Sequence, residues 1–232
     1  MKKPEIVDLS QEIFDGMPVY KGLPPVNIKL HATHEQWDGI EDSDQVSPSV
    51  YAMQMGEHTG THVDALNHMS RENFGETIDS MPLHMFYTRG LCLDLSEKGL
   101  KQLIDVRDLE KALQKTGLTI EKGDTVLLYT DHYRKTFGTD DWWHGPGLSV
   151  AATEWLGEKG IAAFGVETMS PGIPKLTNKE VHRVCGRMGF THYENMANLH
   201  RVIGRGIFRF IGLPLKIKGG TGSPVRAVAV FE

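Results

Sequence analysis

Apolar and polar positions change their spacing part-way along the chain. Over the first hundred residues the apolar positions form short extended runs. "VNIKLHA" (26 to 32) alternates apolar and polar side chains, as a half-buried strand does, and "VYAMQM" (50 to 55) is a second strand candidate. Between them, "THEQWDGIEDSDQVSP" (33 to 48) is polar and acidic and reads as an exposed loop or flap. From residue 100 onward capped helices alternate with apolar strands. Asp105 is placed to cap a helix whose inner face carries Val106, Leu109, Ala112 and Leu113, with Gly117 as its stop. "DTVLLYT" (124 to 130) then reads as a buried strand, Ser149 as the cap of a second helix stopped by Gly160, and "IAAFGV" (161 to 166) as the next buried strand. Asn178 is placed to cap a third helix that runs to Met188 and stops at Gly189. "FTHYENM", "FRFIGLPL" and "VRAVAVF" supply late strands. Strands followed by capped helices predict an α/β fold with a mixed sheet. No linker or internal repeat interrupts the pattern, so residues 1–232 are expected to form one domain.

Composition narrows the functional classes. The formal net charge is -5 and no run of like charges stands out, which argues against a nucleic-acid partner. The first residues, "MKKPEIVDLSQEIFDG", have no apolar stretch behind their lysines and do not read as a signal peptide. No apolar run approaches the roughly 18 residues that would span a bilayer, so no membrane partner is expected. The two cysteines, Cys92 and Cys185, form no CxxC pair, and a reduced, cytoplasmic setting is expected.

The chemistry concentrates in "GEHTGTHVDALNHM" (56 to 69), which places His58, His62, Asp64 and His68 within eleven positions. In one straight strand all four would share a face, but His58 and His62 would lie roughly 13 Å apart at about 3.3 Å per residue. Ligands of one zinc place their donor atoms about 2 Å from the same ion. Thr59, Gly60 and Thr61 are poor helix formers, so a bent loop hinged at Gly60 is the better reading. Such a loop lets His58, His62 and Asp64 converge as three ligands of a metal that keeps open positions, the layout of a catalytic site. A polar, solvated loop is the plain alternative.

"HTGTHVDALNH" resembles the HxGTHxDxxxH signature of the cyclase family of metal-dependent hydrolases, which includes bacterial kynurenine formamidases and isatin hydrolases. "VDLSQEIFDGMPVY", "KGDTVLLYT", "FGVETMSPG", "VHRVCGRMGFTHYENMANL" and "GLPLKIKGGTGSPVRAVAV" follow in the family's order, so the resemblance covers nearly the whole chain. It implies a swivelling β/β/α domain with a mixed, barrel-like sheet, and a homodimer or homotetramer. It implies His58, His62 and Asp64 as ligands of a first metal and His182 and Glu194 as distal ligands, with Asp64 and Glu194 bridging where two ions bind. It implies His68 as the general acid/base; a further ligand, or a partner behind the ligands, are its other readings. The family's formamidases carry "PVWPGD" where this chain reads "PVYKGLPP", which puts Tyr20 at the tryptophan position as a substrate-binding candidate.

Together these readings predict a hydrolase that opens the C–N bond of a small aromatic or cyclic amide, arylformamide or isatin-like, using one or two divalent ions. Zinc is expected first and manganese second, given nitrogen and carboxylate donors. Lactone hydrolysis is a second enzymatic reading, and a metal-bound small-molecule binding protein without turnover is the reading from another class. Four further residues have two readings each. Trp142 and Trp143 are either an aromatic pocket wall or a loop anchor. Glu167, at the end of a buried strand, is a functional carboxylate or one that holds a loop. His132 either faces the site or does not. Cys185, one helical turn from His182, reads as a small core residue, and "KIKGGTGSP" as a hairpin or site-edge loop.

Overall fold

The computed structural model of the chain describes residues 3–37 and 47–232. Its first half contains β1 (Glu5–Asp8), β2 (Asn27–Ala32), β3 (Val50–Gln54), β4 (His62–Asp64), the short helix α1 (Leu66–Met69) and β5 (Tyr87–Asp94). Its second half runs β6 (Leu103–Ile104), α2 (Val106–Thr116), β7 (Thr125–Tyr129), α3 (His132–Thr136), β8 (Gly147–Leu148), α4 (Val150–Glu158), β9 (Ala163–Val166), α5 (Asn178–Met188), β10 (Thr191–Glu194), β11 (Phe208–Ile211), β12 (Gly222–Pro224) and β13 (Val228–Phe231).

Nine of these strands form one mixed sheet in the order β1-β13-β11-β5-β7-β9-β10-β4-β12, curled into a half-barrel. Its centre, β5-β7-β9-β10, is parallel, and the flanking pairs are antiparallel. Parallel neighbours need a crossover, and α2, α4 and α5 lie on the successive crossovers. Strands β7 and β9 are buried at every position, which is why they read as unbroken apolar runs rather than alternations.

Helix α2 forms as its sequence predicts: Asp105 and Asp108 build a reciprocal capping box, and Gly117 ends the helix at φ +67°. Ser149 caps α4 by accepting the Ala152 N–H. Asn178 is not a cap. It is the first residue of α5, and its Oδ1 accepts the Gly172 N–H while Thr177 occupies the capping position. The Thr177 hydroxyl is spent on the Leu148 carbonyl and the Ile173 N–H, so this helix start is tied to the preceding loop rather than to its own first turn.

The β2 strand exists, but it is not half-buried. It pairs only with β3 in a two-stranded ribbon, and Leu30, Val50, Tyr51 and Met53 lie exposed on it. Of the expected flap at 33 to 48, residues 35–37 form a short 3-10 turn and residues 38–46 lie outside the described residues. Both cysteines are free and buried, and among the described residues no helix is long and apolar enough to cross a membrane.

Candidate metal centre

The Gly60 bend forms as expected, at φ +59°. It is bolted to the far half of the chain: Thr61 Oγ1 donates to the Asn195 carbonyl at 2.6 Å and Asn195 Nδ2 donates to the Gly60 carbonyl at 3.1 Å. Asn195 adopts φ +53°, a conformation that asparagine tolerates better than most residues. After the bend the chain does not stay a loop. His62 and Asp64 lie on β4, two residues apart and on one face, and His68 follows on α1.

Strand β4 runs antiparallel to β10, with Glu194 opposite His62 and Tyr193 opposite Val63. Alternation on β10 then places His192 and Glu194 on the same face. Helix α5 brings His182. It comes close to α1 because Gly186 has no side chain; a Cβ there would stand 3.3 Å from the Met69 Cβ.

These elements converge on the Asp64 carboxylate. Its Oδ1 lies 2.8 Å from His58 Nδ1 and 3.4 Å from His62 Nε2. Its Oδ2 lies 3.2 Å from His192 Nε2, 3.6 Å from His182 Nε2 and 3.8 Å from His68 Nε2. Glu194 adds a second carboxylate, with Oε2 3.5 Å from His62 Nε2 and Oε1 3.3 Å from His192 Nε2. Every residue expected as a ligand is therefore in one place, and so is His192, which sequence reasoning missed. The signal was present: in "THYEN", position 192 stands two before Glu194 and shares its face in any strand.

Hydrogen bonds to the outer ring nitrogens set the tautomers. His62 Nδ1 donates to the Gly60 carbonyl at 2.9 Å and His182 Nδ1 to the Asn178 carbonyl at 2.7 Å. A carbonyl only accepts, so each Nδ1 carries a proton and each Nε2, the nitrogen left to bind an ion once it is unprotonated, faces the carboxylates. Thr221 Oγ1 donates to Glu57 Oε2 at 2.7 Å, which makes it the acceptor of a proton on His58 Nε2, 3.1 Å away. His58 thus presents Nδ1 to Asp64. The "KIKGGTGSP" segment is a site-edge loop through this threonine, and its last residues form β12 beside β4. His192 is fully buried, with the Cys185 thiol beside it.

Ring nitrogens aimed at carboxylates need a positive charge between them, which protons on the imidazoles supply here and a divalent ion would supply in their place. Burial opposes charge on His62 and His192, yet Asp64 and Glu194 hold both above the ordinary imidazole range, His192 well above it. Burial likewise works against ionised Asp64, but His192, His182 and His58 keep its carboxyl well below the usual range. His68 is the exception: burial pushes it down, and the attraction of Asp64 does not restore it. The donors gather in two groups that share Asp64, one with His182, His192 and Glu194 and one with His58 and His68, each with donor atoms within 4.8 Å of one another. Imidazole nitrogens and carboxylate oxygens in such groups fit a divalent cation.

The cluster lies in a cavity of about 310 Å³ that Tyr20, Lys21, Leu23, Met169, Ser170 and Asn178 also line. Tyr20 thus lines the cavity that holds the cluster. Trp142 is buried and stacked on His132, with ring centroids 5.2 Å apart, as a loop anchor. Trp143 lines a small cleft that shares Tyr20, Met169 and Ser170 with the main cavity. His132 does not reach the cluster; its Nε2 bonds the Trp142 carbonyl at 3.0 Å. Glu167 holds a loop: its Oε2 accepts from Thr130 N, Thr130 Oγ1 and His132 N, and its Oε1 is buried without a partner. Cys185 is a core residue, as expected.

The model of the Cyclase family, described as "Putative cyclase", matches residues 7–172, most of the chain. The chain belongs to the Cyclase family. Over 234 residues it is 29% identical to kynurenine formamidase of Bacillus thuringiensis (strain Al Hakam), covering 98% of each protein. Isatin hydrolase A from Ralstonia solanacearum superposes with a TM-score of 0.85 at 26% identity, over 99% of this chain and 92% of that one. An isatin hydrolase bound to the product analogue thioisatinate superposes equally well, TM-score 0.85, at 24% identity over 98% of this chain and 92% of the other, a likeness of fold. In this chain that fold carries the cluster on the β4–β10 pairing, with α1 and α5 beside it.

Proposed function

We propose that this Cyclase-family chain is a metal-dependent amide hydrolase that opens the C–N bond of a small aromatic or cyclic amide, of the arylformamide or isatin-like class. One observation carries the reading: histidines whose Nδ1 atoms are tied to backbone carbonyls turn their Nε2 atoms toward the shared carboxylates Asp64 and Glu194 within a cavity of small-molecule size.

His58, His62, Asp64, His182 and Glu194, joined by His192, would hold one or two divalent ions, zinc first and manganese as the alternative. A divalent ion there supplies Lewis acidity, which lets water attack at neutral pH and polarises the amide carbonyl. The protein does the rest. Asp64 and Glu194 would hold the ion and, by accepting hydrogen bonds, orient the attacking water toward the carbonyl carbon. His68, with a side chain 37% exposed and a ring 4.1 Å from that of His58, takes the proton that the attacking water gives up and delivers it to the leaving nitrogen. Tyr20 offers its ring to an aromatic substrate at the wall.

Assembly into a homodimer or homotetramer and a cytoplasmic setting belong to the same reading. The exposed apolar β2–β3 ribbon supports the first, and two buried, unpaired cysteines support the second. The same chemistry would open a lactone, and the amide reading is preferred because the relatives named above are a formamidase and isatin hydrolases.

The test is a screen of metal-loaded protein against formamides, isatin, cyclic imides and lactones. Turnover of an aryl or cyclic amide upholds the proposal. Lactone turnover alone would replace it, and metal binding with no turnover of any of these would leave a binding protein.

A further inference from the structure

One residue of the cavity wall has no part in the chemistry above. Lys21 lines the cavity with Tyr20, Gly22 and Leu23. A tight turn fixes its place: the Leu23 N–H donates to the Tyr20 carbonyl at 3.0 Å, and Gly22, third in the turn, has φ +97°. That conformation at the third position marks a type II turn, and glycine takes it without strain. Lys21 is second in the turn, exposed, and makes no ion pair or hydrogen bond among the described residues. In "PVYKGLPP" it places a cation directly after Tyr20 at the cavity wall.

The charge distribution of the cavity is polarised. Its carboxylates, Asp64 and Glu194, are both buried within the histidine cluster, and Lys21 is the sole lysine or arginine lining it among the described residues. A carboxylate on a substrate is itself a good ligand for a divalent ion. An anionic aryl amide entering a metal-loaded cavity therefore has two ways to lie, and the one with its carboxylate on the metal is unproductive. A cation at the exposed side gives the carboxylate a competing partner and leaves the amide end directed at the cluster.

We propose that Lys21 is a specificity-determining residue that pairs with a carboxylate at the end of the substrate remote from the scissile amide. The proposal rests on the amide-hydrolase reading and names its substrate class: an anionic rather than a neutral aryl amide. Lys21 acts by binding and orientation, and no proton or electron passes through it.

The experiment compares 3-formamidobenzoate with the neutral 3-formamidobenzamide, in metal-loaded wild type, Lys21→Met and Lys21→Glu. In the wild type kcat/KM favours the anion. Lys21→Met lowers the anion-to-neutral ratio of kcat/KM about two- to fivefold, mainly through KM, the scale of an exposed charge pair. Lys21→Glu lowers it further, and raising the salt concentration erodes the wild-type preference. An equal ratio in all three proteins overturns the proposal. Calorimetric binding of benzoate and benzamide separates this failure from that of the parent reading, because it needs no turnover. If the wild type hydrolyses neither formamide, the amide reading falls, and Lys21 is judged on benzoate alone: weaker benzoate binding in Lys21→Glu with benzamide unaffected upholds the anion site, and identical binding removes it.

Discussion

His62 and Glu194, 132 positions apart in sequence, face each other across the β4–β10 pairing, with His62 Nε2 3.5 Å from Glu194 Oε2. Glu194 therefore belongs to the cluster through strand register, and its charge can be removed without moving the strand. Glu194→Gln should weaken a second ion far more than the first, since His58, His62 and Asp64 remain. Metal titration of wild type and variant reads this directly. Identical stoichiometry and affinity with unchanged turnover would remove Glu194 as a ligand.

His58→Ala and His62→Ala should each strip bound metal and abolish hydrolysis. Elemental analysis after dialysis, with circular dichroism as the check on folding, measures the first effect. Full metal content in both variants would refute the ligand assignment.

His192→Ala should behave like His182→Ala, lowering metal affinity at least about tenfold, because the loss of even an outer partner of a metal site costs about 10–100-fold. Wild-type affinity in this variant would reduce His192 to a packing residue against Phe164, on which it stacks with ring centroids 5.3 Å apart.

His68→Ala should keep most of its metal and lose turnover by roughly 10²–10⁴, the usual weight of a general acid/base. Its partial exposure makes it the replaceable histidine of the set. Loss of metal instead would make it a ligand with His58 and Asp64.

Away from the cluster, Glu167 gives stability a pH dependence. Burial pushes its carboxyl up to about 7 from an ordinary 4.5, even though Thr130 and His132 donate to it. The folded state holds this proton more tightly than the unfolded state, so stability falls as pH rises from about 4.5 to about 7 and is level beyond. The loss attributable to this group is on the order of 3 kcal/mol. Glu167→Gln should flatten that part of the profile. Denaturant unfolding of chelator-treated wild type and variant at pH 5 and pH 7.5 checks it, and parallel profiles would refute it.

Local chemistry was legible in the sequence where one residue decides one feature. Asp105, Ser149 and Gly117 cap or stop helices with their own atoms, and Gly60 bends the chain because its φ is positive. Features set by distant neighbours were not. The alternation of β2 predicts a strand, but its burial depends on what covers it, and only β3 pairs with it. The Asn178 side chain looks like a cap until the loop at Gly172 claims it. His192 has no ligand signature of its own in "THYEN", and the β4–β10 register that collects it with Glu194 is a long-range contact. The proximity of His182 to His68 depends on Gly186, a glycine with no local signature.

The sheet order has a consequence for the order of events in synthesis. β1 has β13 as its strand partner, and β4 lies between β10 and β12. A nascent chain that has exposed only "HTGTHVDALNH" holds four donors of which the Gly60 carbonyl orients His62 alone, since the Asn178 carbonyl, Glu194 and Thr221 arrive later. The ribosome must deliver almost the entire polypeptide before the donors close into a cage. Tight capture of an ion then reports completion, and a chain cut short upstream of Thr221 would carry the signature motif yet lack the scaffold that makes it a ligand set.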